Sequence, residues 1–144
     1  MSDWIYKGSS YEGPSEDLVG FVYIITNTEN HKQYVGKKLF WHKKSKVLKG
    51  KKKRYLAESD WKSYFGSSKE LNEDVKLLGT EKFTREILHL CSSKGECSYL
   101  EAKEQFDRGV LLNLDMYYND WIIVRVHRKH LNENRARKTV QPTI

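Results

Sequence analysis

The chain reads as short apolar runs broken by polar turns. Residues 20–27 (GFVYIITN) combine β-branched and aromatic side chains and predict a strand. The polar stretch 28–31 (TENH) leads into a second strand over 32–38 (KQYVGKK), so the two predict a hairpin. With that loop Asn27 faces Lys32, Ile25 faces Tyr34 and Tyr23 faces Gly36. Tyr23 and Tyr34 then share one face as diagonal neighbours, because strand side chains alternate, and a one-residue slip would separate them. Residues 67–79 predict a helix: Ser67 and Glu70 suit a capping box, Leu71, Val75 and Leu78 make an apolar stripe, and Gly79 is a natural stop. Residues 81–91 predict a third strand, 92–97 a loop, 98–112 a second helix and 116–126 a further extended segment. Residues 1–19, with several Gly and Ser and Pro14, predict an irregular lead-in. The order is β-β-loop-α-β-α. It predicts an α+β domain over residues 20–126, with helices flanking a small, mostly antiparallel sheet of about three strands.

The second helix is not a clean amphipath. Projected at about 100° per residue from Tyr99, it groups Val110, Phe106, Leu100 and Leu111 into one broad apolar face. Glu104 falls at about 140°, on the edge of that face, and Glu101 at about 200°, on the polar side. A carboxylate at a buried edge is costly unless it is paired or binds a cation. Arg108, four residues on, offers the salt bridge; a metal or catalytic role is the alternative. Lys103 also points into the apolar face, with its stem buried and its amine reaching out. Tyr23 and Tyr34 are ordinary core candidates for a half-buried strand. Gly36 opposite Tyr23 marks a close approach of a ligand or another backbone.

Composition changes this picture through charge. The 144 residues carry 26 Lys+Arg and 19 Asp+Glu, a net charge of +7, with 38% hydrophobic and 12% aromatic residues. Such aromatic content excludes a disordered polyelectrolyte, and a chain of this length folds as one domain without disulfides. No apolar run approaches the roughly 20 residues needed to span a bilayer. Two cysteines, Cys91 and Cys97, point to a reducing compartment and a cytoplasmic location. His89, Cys91 and Cys97 lack an evident fourth zinc ligand and read as plain side chains. Trp61 and Trp121 read as core, and His42 as a loop histidine. The stretch 37–54 contains ten basic residues and no acid, which is +10; residues 125–138 carry +5, and the rest is −8. Such blocks repel themselves and are tolerated where a polyanion neutralises them. Residues 37–58 therefore read as a basic insertion, with Lys43, Lys44, Lys51, Lys52, Lys53 and Arg54 as nucleic-acid contacts, and residues 127–144 as a basic tail.

Together these residues resemble the GIY-YIG endonucleases. The resemblance rests on Phe21-Val22-Tyr23 for the first motif, Tyr34-Val35-Gly36 for the second, and the later blocks YFGSSKELNEDVKLLG, FTREIL, YLEAKEQF and YYN. It covers about residues 20–120 and is strongest toward small, stand-alone, phage-encoded members, some of the homing type. The resemblance implies a phosphodiesterase that cuts DNA with Mg²⁺ or Mn²⁺, acting as a monomer or weak dimer on double-stranded DNA. Residue by residue, it implies that Tyr23 helps deprotonate the attacking water and that Tyr34 orients or assists it. Glu104, preferred over Glu101 by the helix projection, would hold the metal, and Asn119 would support the site. The Arg that the family carries about ten residues beyond the second motif is absent. Arg54 is favoured in its place, with Lys38 as a second basic site residue. Arg offers phosphate a bidentate fork and Lys a point charge, so the choice affects geometry. One carboxylate suffices for Mg²⁺, which keeps water and phosphate oxygens in its remaining positions. The alternative is a non-catalytic nucleic-acid-binding module using the same basic segments, with the tyrosines as core.

Overall fold

The computed structural model describes residues 3–131; of the basic tail expected over 127–144, residues 132–144 lie outside the described residues. Strands β1 (Trp4–Tyr6), β2 (Ser9–Ser10), β3 (Gly20–Asn27) and β4 (Gln33–Leu39) come first, then β5 (Trp41–Leu48) and β6 (Lys51–Glu58). Helix α1 (Lys69–Leu78), strand β7 (Phe83–Cys91) and helix α2 (Lys94–Arg108) complete the order. The main sheet runs β2-β1-β7-β3-β4. It is mixed, because β1 pairs parallel to β7 while β3 pairs antiparallel to both neighbours. The fold is therefore α+β, but with five strands rather than about three. The hairpin register is the one that side-chain alternation requires: Tyr23 faces Gly36 and Ile25 faces Tyr34.

Strand β3 is buried on both faces, which explains its unbroken apolar run. One face packs Phe21, Tyr23 and Ile25 with Trp4, Phe40, Trp61, Phe65, Leu71 and Phe83. This aromatic core is covered by α1 and the segment before it. The other face packs Val22, Ile24 and Val35 against Cys97 and Val110 under α2. Burying one face against Leu- and Phe-sized side chains is worth about 1.5–3 kcal/mol per residue, so both layers are needed for a sheet this small. A bulge in β7 between the partners of Val22 and Tyr23 shifts the pairing from His89 to Ile87. It turns His89 toward α2 while Ile87 stays in the aromatic core.

Several elements depart from expectation. Residues 1–19 are not wholly irregular: β1 enters the sheet and Trp4 is a core residue. The basic insertion is not a loop. β4 continues to Leu39, and β5 and β6 form their own two-stranded ribbon. Alternation could not reveal it, because neither ribbon face is buried. Helix α2 starts at Lys94, inside the expected loop, because Ser93 Oγ accepts from the Glu96 N–H (3.1 Å) and Glu96 Oε1 from the Ser92 N–H (3.0 Å). It stops at Gly109, whose φ of 64° is left-handed. Helix α1 is capped by Ser68, not Ser67. Residues 116–126 contain no strand; a single parallel bridge joins Tyr117 to Gln33.

One polar group organises the aromatic face. Arg85 is 1% exposed, between the rings of Trp4 (4.6 Å) and Phe65 (4.3 Å). Its Nη1 donates to the carbonyls of Lys62 (3.0 Å) and Tyr64 (2.8 Å), and burial lowers its pKa to about 10. Arg85 thus stitches the segment before α1 onto the sheet. Replacing it by Met keeps an apolar stem but leaves two carbonyls without that donor. Urea unfolding of Arg85→Met is expected to show a loss of about 1–3 kcal/mol for each carbonyl left buried.

Candidate active site

The hairpin brings Tyr23 and Tyr34 together with ring centroids 6.2 Å apart and a 36° tilt. Gly36 makes this packing feasible: a Cβ there would lie 2.5 Å from the Tyr23 hydroxyl and 2.9 Å from the Tyr34 ring. Tyr23 is 1% exposed and meets Tyr64 edge-on at 6.1 Å. Burial, then the neighbouring Tyr64 and Tyr34, hold its phenol well above the usual value, and its hydroxyl is bonded to Tyr64. Tyr34 is half-buried, and its hydroxyl shares a 2.8 Å hydrogen bond with Ser67 Oγ. Burial raises its pKa as well; Ser67 opposes this, and Tyr64, Glu101 and Asp120 add to it. Both tyrosines rest as neutral phenols. Tyr34 is the one that lines a cleft.

That cleft, of about 400 Å³, runs along the outer edge of β4. Tyr34, Ser67 and Lys69 contribute from one side, Glu101 and Gln105 from α2, and Asn119 to Trp121 from the segment beyond it. Two carboxylates line the cleft, Glu101 from α2 and Asp120 from the segment beyond it, and Glu104 is not one of them. Cys97 and Gln105 are buried on α2, with Glu101 midway between them, so the row 97, 101, 105 faces the sheet. Phe106, which anchored the projected apolar face, is 64% exposed. Glu104 instead accepts from Arg108 Nε (3.1 Å) and bonds His89 Nε2 (2.7 Å). Burial pushes its pKa up, but these two partners hold it below the usual range. The sequence alternative of a salt bridge with Arg108 is the one present.

Glu101 behaves differently. Its pKa is raised: burial dominates over Lys37, whose Nζ lies 3.8 Å away and whose N–H also bonds the carboxylate. Lys37 itself donates to Ser98 Oγ (2.7 Å). Glu101 also adds one of the smaller upward pushes to the phenols of Tyr23 and Tyr34, and of these two only Tyr34 shares its cleft.

Asn119 is 3% exposed and works as a spare peptide group. Its Oδ1 accepts from the Val35 N–H (3.1 Å) and its Nδ2 donates to the Val35 carbonyl (2.8 Å). Gln105 Nε2 donates to the same carbonyl (3.0 Å), which leaves the buried Gln105 Oε1 without a hydrogen-bond partner. Tyr118 fixes the segment from the other side: its hydroxyl donates to Asp74 (2.7 Å) and accepts from Asn27 (3.0 Å).

The remaining sequence candidates lie elsewhere. Lys38 stands 4.1 Å over the Tyr64 ring and pairs with Asp60 at 2.7 Å, which lowers the Asp60 pKa. Arg54 faces Ser45 on the ribbon, grouped with Lys43, Lys44 and Lys52, and does not reach the cleft. Lys51 and Lys53 are also on the ribbon. Among the described residues that line the cleft, Lys69 at the start of α1 is the cation. Trp61 is core, as expected; Trp121 is not, being 76% exposed at the cleft rim. Periodicity gave no signal for Tyr64, which a non-repetitive segment delivers, and it marked Ser67 and Lys69 only as the start of a helix.

The donors suit a hard divalent cation. Glu101 supplies a carboxylate and Gln105 an unpartnered buried amide oxygen, and oxygen ligands with water in the remaining positions are what Mg²⁺ prefers. Among the described residues no group of three or more His, Cys, Asp or Glu side chains forms a metal cage.

A family model described as "Putative endonuclease segE, GIY-YIG domain" matches residues 4–122. No curated protein and no solved structure matches the chain.

The raised Glu101 pKa has a consequence for stability. Its carboxyl binds a proton more readily folded than unfolded, so the ionised group costs stability above its folded pKa, and the cost vanishes as pH falls below about 4.5. Glu101→Gln is therefore expected to melt at a higher temperature than the wild type at pH 7. The two melting curves should converge on acidification through the carboxylate range.

Proposed function

The chain belongs to the segE-type GIY-YIG endonuclease domain family, a nuclease domain with a nucleic-acid substrate, and on that premise we propose that it is a DNA endonuclease dependent on a divalent metal. The observation that carries this reading is the desolvated Glu101 carboxylate in the cleft that Tyr34 and Gln105 also line, with the Gln105 oxygen buried and unpartnered.

Glu101 and Gln105 would hold the cation, Mg²⁺ or Mn²⁺, which when bound supplies positive charge to the phosphate and acidifies water. Tyr34 is the phenol a substrate can touch. With Ser67 it would orient the attacking water, and it would accept the proton once ionised. Its pKa is held up partly by Glu101, so it loses some of that push when the Glu101 charge is neutralised. Tyr23 is sealed behind Gly36 and Tyr64 and keeps its proton. We assign it to positioning Tyr34 and Tyr64, with a direct role as base requiring that Tyr64 move aside. Lys69, at the N-terminal end of α1, takes the phosphate-facing position that Arg54 or Lys38 was expected to fill. Asn119 acts by holding the β4 edge, without touching the substrate.

Two outcomes test this. With supercoiled DNA and Mg²⁺, Glu101→Gln is expected to lose cleavage by roughly 10²-fold or more, as for removal of a group acting on transition-state charge. Glu104→Ala should cut at near wild-type rates, and the reverse ranking would refute the assignment. The cleavage rate should also climb with pH across the neutral to alkaline range, because Tyr34 must ionise from a raised pKa. Tyr34→Phe should flatten that climb as well as slow the reaction.

A further inference from the structure

The β5–β6 ribbon is the most unusual surface of the molecule. Residues 41–58 carry eight of the 26 basic residues and one of the 19 acids, leaving 18 of each elsewhere. The entire net charge of +7 therefore resides in this one ribbon. Its register puts Lys44, Lys46, Lys51 and Lys53 on one face and Lys43, Lys52 and Arg54 on the other. Lys46 lies directly opposite Lys53, a like-charge pair that works against the hairpin.

Packing offers the ribbon no compensation. Both faces are exposed, including Val47, Leu48, Tyr55 and Leu56, and a two-stranded ribbon alone is marginal in water. Order comes from its two ends. At the root Phe40 is fully buried against Phe21 and Trp61, and its N–H donates to the Val19 carbonyl (2.9 Å). Beside it, Trp41 Nε1 donates to the Leu18 carbonyl (3.0 Å), while Ser59 closes the base through its N–H to Phe40 and its Oγ to Leu39. At the tip Lys49 (φ 50°) and Gly50 (φ 76°) form a two-residue turn of the I′ kind, whose twist matches that of paired strands. A chain that keeps eight-residue strands ordered under its own repulsion, with no face buried, presents them to a polyanion. A few edge lysines would have sufficed to prevent strand-to-strand aggregation.

We propose that the ribbon is an arm that docks in the major groove of duplex DNA. The inference rests on the endonuclease reading for its substrate class. A two-stranded ribbon fits the roughly 12 Å major groove and not the roughly 6 Å minor groove. Eight residues at about 3.3 Å each give an arm of about 26 Å, which covers about eight base pairs. One face carries Leu48 and Tyr55 among its lysines and the other Val47 and Leu56 among its cations. The face turned into the groove therefore brings cations for the phosphates together with apolar side chains for base edges. Since β4 carries Tyr34 and passes through Phe40 directly into β5, docking the arm fixes the register of the duplex against the cleft.

The test compares Glu101→Gln with the same chain carrying Lys44→Gln, Lys46→Gln, Lys51→Gln and Lys53→Gln as well. Binding to a 30-base-pair DNA duplex is followed by anisotropy in EDTA across a salt series, with circular dichroism checking that both fold. The four substitutions should reduce the slope of log affinity against log salt by about 3–4. An unchanged slope would overturn the proposal. The same pair is then measured on duplex RNA of matching sequence, whose deep, narrow major groove excludes side chains. The affinity ratio between the two chains should be at least about tenfold smaller on RNA; equal ratios would overturn groove docking. Cleavage of the DNA duplex by the wild type in Mg²⁺ is read separately. Its absence would refute the endonuclease reading and leave the metal-free binding comparison to stand by itself.

Discussion

The outer edge of β4 is the constraint on which the site depends. A sheet edge presents unpaired peptide groups, and the Val35 peptide is answered by side chains: Asn119 pairs with it in both directions and Gln105 donates to its carbonyl. The backbone continues this closure through Gln33, whose N–H donates to Met116 and whose carbonyl accepts from Tyr118. Because Gln105 sits one helical turn from Glu101, docking its amide on Val35 also sets the height of the carboxylate. Cleft, carboxylate and Tyr34 therefore share a single reference point. The two core layers hold the sheet together, but it is the edge that gives the cleft its shape.

The parts of this arrangement governed by strict periods were legible in the sequence. Alternation and loop length fixed the pairing of Tyr23 with Gly36, since any slip would have moved a whole apolar set to the wrong face. The match to the segE-type domain agrees with that reading of the family. The helix carboxylate was not legible in the same way. A projection weights large apolar side chains, yet α2 buries Cys97, Ala102 and Gln105 and leaves Tyr99 and Phe106 exposed. The sheet surface below is already filled by Val22, Ile24 and Val35, so only small or flat side chains fit beneath the helix. That requirement belongs to the partner surface and leaves no trace in the hydropathy of the helix itself.

Two other elements were hidden for different reasons. Tyr64 and Ser67 reach the tyrosine cluster because Arg85 captures the carbonyls of residues 62 and 64, a long-range contact with no local pattern. One residue of capping register matters here too. With Ser68 as the cap of α1, the Ser67 hydroxyl is released to Tyr34. The lead-in was hidden by its Gly and Ser content, although Trp4 stands edge-on to both Phe21 and Tyr23.

The root of the ribbon has a mechanical meaning. An arm of about 26 Å held at one end is a cantilever, and a rocking of about 5° at its base carries the tip about 2 Å. Resistance to that rocking is concentrated in Phe40, wedged between Phe21 and Trp61, while Phe21 in turn touches Tyr23. A load on the tip is thus borne by the same aromatic stack that seats the buried tyrosine. Stiffness at the far end of the molecule and alignment at its centre are set by one ring.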